Sequence, residues 1–416
     1  MKKLLFLYLI SFNVAGQIFV QNETTGSITI TPKGIQDSKL QNITTNVVLG
    51  PSSFIENTQG NNNTAIGHAS MSRNEIGSYN TAIGSSTLTY NIWGNSNTAI
   101  GYTALYNNTT GFRNTATGSG ALSNNREGNN NTANGLAALS FNRTGNYNTA
   151  TGVYSMASNF SGYYNTANGG HALYSNTTGY RNTANGNEAL YSNTTGKFNV
   201  ADGQRALYSN TVGIQNTASG AFTGQAIIEG KNNTFIGFYA DATADLSNAT
   251  AIGANAKVDA SNKVRIGDST VTVIEGQVPW SNPSDRRLKE NILYTNRLGL
   301  DFINRLQTVS YNYIADGNKT RYDGFIAQDI EKVMKDLNVP FSGLKKSDNG
   351  TYSLAYSDFV MPLVNAVKEL NDTNKNQQAQ IDNLTKKNEM LAASIEEIKA
   401  RLLQMESDTK SKPETK

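Results

Sequence analysis

Polar and small residues set the rhythm of this chain over most of its length. Asn-Thr-Ala-x-Gly begins at Asn63 and recurs at Asn80, Asn97, Asn114, Asn131, Asn148, Asn165 and Asn182, always 17 residues apart. Variants continue the step at Asn199, Asn216 and Asn233, which makes eleven units in register. A second row of glycines, from Gly77 through Gly111 to Gly230, keeps the same interval. Apolar residues are few in each unit, as at Ala65, Ile66 and Ala69 or at Ala104, Leu105 and Tyr106. A unit of this length is too short for two helices and a turn, and two fixed glycines oppose a helix. The pattern predicts a mainly β chain in which each unit is one coil of a parallel β-roll or β-solenoid. Each coil would hold two short extended stretches, each followed by a glycine turn. Threonines follow the leading asparagines at Thr64, Thr81, Thr98, Thr115 and Thr132. Stacking therefore aligns identical Asn and Thr side chains, which can meet their hydrogen bonds along the stack. Proline is absent between Ser52 and Val278, leaving every backbone donor free for such ladders. The interval shortens to 16 from Gly237 to Gly253 and to 14 from Gly253 to Gly267.

Different patterns flank the repeat. Met1-Lys2-Lys3 precedes a mostly apolar run from Leu4 to Phe12, and Val14-Ala15-Gly16 offers small residues before Gln17. This is the pattern of a secretory signal peptide, and the run is far shorter than the roughly 20 apolar residues of a bilayer span. Near the other end, Val367, Asn374, Ile381, Asn388, Ile395 and Leu402 step by seven. Leu370, Gln377, Leu384, Leu391, Ile398 and Met405 follow three places behind. That is an a/d seam, so a coiled coil is expected, with Asn374, Gln377 and Asn388 fixing register.

Composition sharpens this division. Between Gln17 and Trp280 there are 13 basic and 13 acidic residues with 31 glycines; between Ser281 and Lys416 there are 20 and 19 with 5 glycines. The expected organisation is a signal peptide over residues 1–16, an N-terminal β segment over 17–55 and the repeat over 56–280. A small α+β domain over 281–366, the coiled coil over 367–406 and a disordered tail over 407–416 complete it. With no cysteine there is no disulfide framework, thiolate nucleophile or zinc finger. Two histidines, His68 and His171, make a Ser-His-Asp triad or a His-rich metal site improbable, and neither metal nor cofactor is expected. A net charge of +3 gives no electrostatic case for a nucleic-acid partner.

Several local signals in the repeat carry little. Its Asn-x-Thr sequons are by-products of the period, and its glycine patterns lack the Lys-Ser/Thr ending of a phosphate loop. Recurrent aromatics such as Tyr106, Phe112, Tyr174, Tyr180, Tyr191 and Phe198 suit packing over the solenoid edge or between chains better than a sugar-binding stripe. An ice-binding array of Thr-x-Thr is disfavoured by one Thr per ladder. The candidate chemistry lies after the repeat, in Pro283-Ser284-Asp285-Arg286-Arg287-Leu288-Lys289-Glu290-Asn291-Ile292. Ser284 and Lys289 are five apart, so a turn could join a hydroxyl to an amine whose basicity burial or neighbouring cations would tune. By spacing alone the signal is weak, and a solvated charge run is the better reading.

Two resemblances bear on these alternatives. The repeat resembles the head repeats of trimeric autotransporter adhesins, with their Ala-Ile-Gly-x-x-Ala signature, which implies a left-handed parallel β-roll with three chains around an axis. This unit is longer than that family's, through turns such as Asn108-Thr109-Thr110-Gly111 and Asn176-Thr177-Thr178-Gly179. Ser-Asp-x-Arg-Leu-Lys-Glu-Asn-Ile resembles the opening motif of the endosialidase-type intramolecular chaperone, the auto-processing module that ends tail spikes and fibres. Gly324-Phe325-Ile326-Ala327-Gln328-Asp329-Ile330-Glu331-Lys332-Val333 and Tyr356-Ser357-Asp358-Phe359-Val360-Met361-Pro362-Leu363 follow in the family's order. The resemblance implies a domain that trimerises, guides assembly of the β-structure before it and cuts itself off. Ser284 matches the family serine and Lys289 the family lysine, with Pro283–Ser284 as the scissile bond and Asp285, Arg287 and Glu290 positioning the loop. If this copy is active, it is a serine endopeptidase with a Ser-Lys dyad acting only in cis.

The expectation is therefore an exported homotrimeric fibre or adhesin-like protein, secreted or held at the cell surface, with a host surface or glycan as its external partner. The alternatives are a carbohydrate-binding or carbohydrate-degrading spike and a prophage tail fibre. No transmembrane segment is expected in the mature chain.

Overall fold

The computed structural model describes residues 46–314, 316–347 and 350–410, together with the backbone of three short antiparallel strands, Ile18–Val20, Ile28–Thr31 and Gly34–Ile35. The expected signal peptide lies outside the described residues. The chain forms two units, residues 1–273 and 274–416.

The first unit is a parallel β-solenoid. Its spine is a 14-stranded sheet that runs from Val47–Leu49 to Val264–Ile266, each strand beside its neighbour in the sequence repeat. Register follows the 17-residue period without slip: Thr149, Ala150 and Thr151 pair with Thr166, Ala167 and Asn168. The sheet begins earlier than the repeat boundary at 56 and ends before 280, because Val47-Val48-Leu49 already supplies a coil in register. In the ten strands from Thr64–Ile66 to Thr217–Ser219 the central alanine is buried and its two neighbours face outward, as at Thr98-Ala99-Ile100.

The coil corrects one expectation. Among the described residues a 17-residue unit holds one three-residue strand, not two extended stretches, and turns fill the rest. The reason is local: in the unit after Gly101, Thr103 and Leu105 both have positive φ, 53° and 51°, which forbids extension. The same holds at His171 and Leu173 two residues apart. The row containing Leu105 is the second core row, Phe54, Met71, Leu88 and on to Leu207, and it is wholly buried. Two buried asparagine rows complete the interior. The leading one sends each side chain both ways along the stack: Asn114 Oδ1 accepts from the backbone N–H of Asn131 at 3.0 Å, and Asn131 Nδ2 donates to the Gly145 carbonyl at 2.8 Å. The other, Asn57 to Asn210, joins amide to amide, as in Asn142 Nδ2 to Asn125 Oδ1 at 2.7 Å. No described buried side-chain nitrogen or oxygen is without a partner.

Glycine is required where coils touch. Gly101 has φ +130° and an added Cβ would lie 2.6 Å from the Gly118 carbonyl oxygen. Outside, the aromatics stack from coil to coil: Tyr163 on Tyr180 at 4.8 Å, and Tyr174 on Tyr191 on Tyr208 at 5.2 and 5.1 Å. Where the period shortens, Asp241–Ala242 and Lys257–Val258 add a second small parallel sheet.

The second unit is a small α+β fold with a long helix. Helix α1 (Leu300–Arg305), helix α2 (Ala327–Leu337) and the start of helix α3 (Val360–Lys410) surround Phe302, Ile330, Phe341 and Phe359. Two antiparallel hairpins, Val309–Tyr311 with Tyr322–Gly324 and Leu344–Lys346 with Tyr352–Leu354, lie between the helices in sequence. Glu369 of α3 accepts the N–H of Leu300 at 2.8 Å, holding the N-terminus of α1. Helix α3 has 51 residues, starts before 367 and runs on past 406. No helix among the described residues is long and apolar enough to cross a membrane.

Candidate functional site

Five residues in extended conformation span about 17 Å, so Ser284 and Lys289 meet only if the chain turns between them. It does. Arg286–Leu288 forms a single 3₁₀ turn, closed by the Lys289 N–H donating to the Arg286 carbonyl at 3.1 Å. Asp285 starts that turn: its Oδ1 accepts the Arg287 N–H at 2.8 Å, the role of an N-cap. The Arg287 guanidinium returns to the same carboxylate, Nη2 to Oδ2 at 2.6 Å and Nε to Oδ1 at 3.1 Å. That ion pair, with the capped amide, holds the Asp285 carboxyl below its ordinary range and the Arg287 guanidinium above its own. With the turn fixed in this way, Lys289 Nζ stands 2.7 Å from Ser284 Oγ.

Of the six positions singled out from sequence, Ser284 with Lys289 and Asp285 with Arg287 are thus brought together in two pairs. Pro283 is joined to Ser284 by the peptide bond itself. Glu290 is exposed and takes part in neither pair. All of residues 281–297 are exposed, including Leu288, Leu293 and Tyr294. Burial by this chain's own fold therefore does not surround Lys289.

Chemically, the arrangement offers a hydroxyl, an amine in contact with it, and a peptide carbonyl one bond upstream of the serine. No group of three or more metal-ligating side chains occurs among the described residues. An open cleft of about 550 Å³ in the second unit is lined by Tyr311, Tyr313, Phe325, Gln328, Tyr352 and Tyr356 among others, with no carboxylate among the described lining residues. Its Tyr311 hydroxyl is pushed up to about 12 by the hydrogen bond with Tyr313 and by burial. Sequence reasoning read Asn108-Thr109-Thr110-Gly111 as a turn and missed the buried amide row that runs through Asn108. The signal was present, since Asn-x-x-Gly keeps the 17-residue step from Asn57 to Asn210.

Comparison with curated proteins finds no match to this chain. Residues 284–338 match the family model described as chaperone of endosialidase, a match that opens at Ser284 and follows the β-solenoid in the chain.

Proposed function

We propose that the chain is an exported trimeric fibre, adhesin-like in its repeat, whose C-terminal module aligns three copies and then cuts itself away before Ser284. A β-solenoid followed by this module fits a tail-fibre- or spike-like protein. The observation that carries the cleavage reading is the 2.7 Å contact between Lys289 Nζ and Ser284 Oγ, directly after the bond to be cut.

The steps follow from those positions. Lys289 as the neutral amine takes the Ser284 Oγ proton, and Oγ attacks the carbonyl carbon of Pro283. The C–N bond breaks, Lys289 returns the proton to the leaving Ser284 nitrogen, and an ester joins Pro283 to Ser284 Oγ. Water hydrolyses that ester, leaving a carboxylate at Pro283 and a free amine at Ser284. The substrate is held by its own covalent bond, so no binding pocket is needed. An ammonium cannot take the proton, and removing it from water favours the neutral form. Because the pair is exposed in the single chain, partner copies must supply that cover, which ties cutting to assembly. The seam along α3 supports assembly: Val367, Ile381, Leu384, Leu391, Ile398 and Met405 all stand exposed at a and d positions.

Wild type and Ser284→Ala, compared by denaturing gel and intact mass, test the proposal. Wild type is expected to give a fragment that begins at Ser284, and the variant only full-length chain. Equal full-length bands in both would overturn self-cleavage and leave the assembly role to be judged by sedimentation.

A further inference from the structure

An uncharged run leads into the bond before Ser284. No side chain from Gly276 to Ser284 carries a charge, although five of the six that follow, Asp285 to Glu290, do. Pro279 and Pro283 fix their own φ and push Val278 and Asn282 toward extended backbone. The run is therefore stiff, yet no helix or strand lies between Ile266 and Arg286. Every residue from Ile274 to Pro283 is exposed, Val278 at 74% and Trp280 at 87%. A tryptophan left almost wholly in water beside a valine and two prolines is apolar surface that its own chain does not cover.

The same unit holds the open cleft of about 550 Å³, and none of its described lining residues is charged. Its aromatic walls are fixed from behind. Phe325 stacks on the core ring of Phe359 at 5.2 Å, and its N–H donates to the Tyr356 hydroxyl at 3.0 Å. The Tyr352 hydroxyl donates to Glu331 Oε1 at 3.1 Å, and Tyr311 meets Tyr313 edge to face at 5.3 Å. Tyr313 and Tyr356 are nonetheless half exposed. Rings held in this way lose little freedom when something settles between them.

We propose that this cleft receives residues 278–283 of a neighbouring copy, with Trp280 as the anchor, and so orients the bond that is cut. The proposal rests on the trimer and self-cleavage reading given above and adds the contact that positions the substrate. Aromatic grooves suit extended segments with prolines, because rings pack on the pyrrolidine faces and the segment is already ordered. Prolines also bring carbonyls without matching N–H groups, and the tyrosine hydroxyls and the Gln328 amide are donors for them. An uncharged run entering an uncharged cleft strips water from no charge. The occupant comes from another copy, since within one chain the run is wholly exposed and the cleft stays open. The covalent tether delivers Pro283 to Ser284 but leaves the direction of its carbonyl unset. Holding 278–283 in one conformation sets that direction.

Trp93 and Trp280 are the two tryptophans of the chain, so Trp93→Phe makes Trp280 a lone reporter. The full chain carrying Trp93→Phe and Ser284→Ala is sedimented, and its tryptophan emission and quenching by acrylamide are measured. Trimers are expected with blue-shifted, shielded emission, and adding Tyr313→Ser is expected to return the signal to that of an exposed indole while trimers persist. With Ser284 intact, Trp280→Ala and Tyr313→Ser are each expected to slow release of the fragment about a hundredfold without altering sedimentation. A Tyr313→Ser chain with its dyad intact, coexpressed with an excess of the Ser284→Ala chain, is expected to regain cutting through its neighbours' clefts. Trimers with Trp280 still exposed would overturn the docking and leave assembly and cleavage standing. No regain in the mixed assemblies would overturn docking between copies. A chain that never cuts yet shields Trp280 would sink self-cleavage and keep the docking, whereas monomers on sedimentation would overturn both.

Discussion

At Ser284 and Lys289 the distinction that matters is between a hydrogen bond and a proton transfer. Lys289→Arg keeps a cation and several donors within reach of Ser284 Oγ, but a guanidinium does not give up its proton in a protein. If Lys289 acts as the base, this variant is as inactive in self-cleavage as Lys289→Ala, although it assembles normally; mass measurement over a time course checks it. Cleavage retained in Lys289→Arg would assign the lysine to positioning only. Asp285→Ala removes a cap and an ion pair at the surface. It is expected to slow cleavage with no change in melting temperature, because its contribution lies in the turn that closes the dyad. A different carboxylate governs pH dependence. Burial pushes the Asp241 carboxyl up from its ordinary value, against hydrogen bonds from the Ala226 and Ala242 amides and Lys257 Nζ at 3.5 Å. A raised folded-state value means that the unfolded chain releases this proton first as pH rises. The stability contribution is therefore full below the ordinary carboxyl range and is lost as pH climbs through the raised value. Acidifying through that window is expected to stabilise the last coils, and Asp241→Asn to abolish the dependence, read by thermal unfolding at a series of pH values.

At the scale of the coil, left-handed backbone explains a choice that hydrophobicity alone leaves open. The second core row is Phe, Met or Leu from Phe54 to Leu207 and never Val or Ile, and each member has φ near +50°. Branching at Cβ is what that conformation resists, at roughly 1–2 kcal/mol per residue for an L side chain already. Leu139→Met is thus expected to be nearly neutral and Leu139→Ile clearly destabilising despite equal carbon count, as chemical denaturation would show. Asn142 tests the amide row. It donates to Asn125 Oδ1 and to the Gly145 carbonyl and accepts from Asn159 Nδ2. Asn142→Ala is expected to cost about 1–3 kcal/mol for each buried group left without a partner. These rows also show what could be read from sequence. The 17-residue period, the solenoid and the shortened last coils were legible because identical residues recur at identical spacing; the strand register was not, and it emerges only from the pairing of strands such as Thr149–Thr151 with Thr166–Asn168. The single strand per coil was not, since Leu105 looks like a strand residue until its φ is known. Whether Asn108 is a turn residue or a buried amide depends on the direction of its side chain, which spacing does not encode. At the site, the five-residue separation admitted a Ser284–Lys289 contact, but the cap by Asp285 that produces it became visible only in the structure.

For the whole molecule the period that makes folding of one chain simple makes assembly of several difficult. Within the solenoid every spine strand pairs with that of the next coil, so contacts are close in sequence and the stack can grow by zipping. Between chains the same regularity is a hazard, because a copy displaced by one unit presents almost the same Thr and Asn rows to its neighbours. Over Thr115 to Ser219 such a slip changes few contacts. Energy alone then discriminates weakly among registers, and slipped assemblies expose strand edges that aggregate. On the proposed function, a module that joins three ends first would remove the ambiguity, since zipping from one aligned end leaves one register. Its removal afterwards, as proposed, would close the route back and give persistence that rests on a slow rate of separation. Two chain-length experiments separate these ideas. Deleting residues 132–148, one unit of 17, is expected to leave folding and assembly intact and shorten the stack, whereas deleting 132–147 breaks every ladder beyond the cut and lowers the melting temperature. The fragment 17–283 expressed without residues 284–416 is expected to yield aggregates and assemblies of mixed mass, and the full chain a single species by sedimentation. Homogeneous trimers from the fragment alone would show that the repeat selects its own register, and the terminal module would then have no assembly role to play.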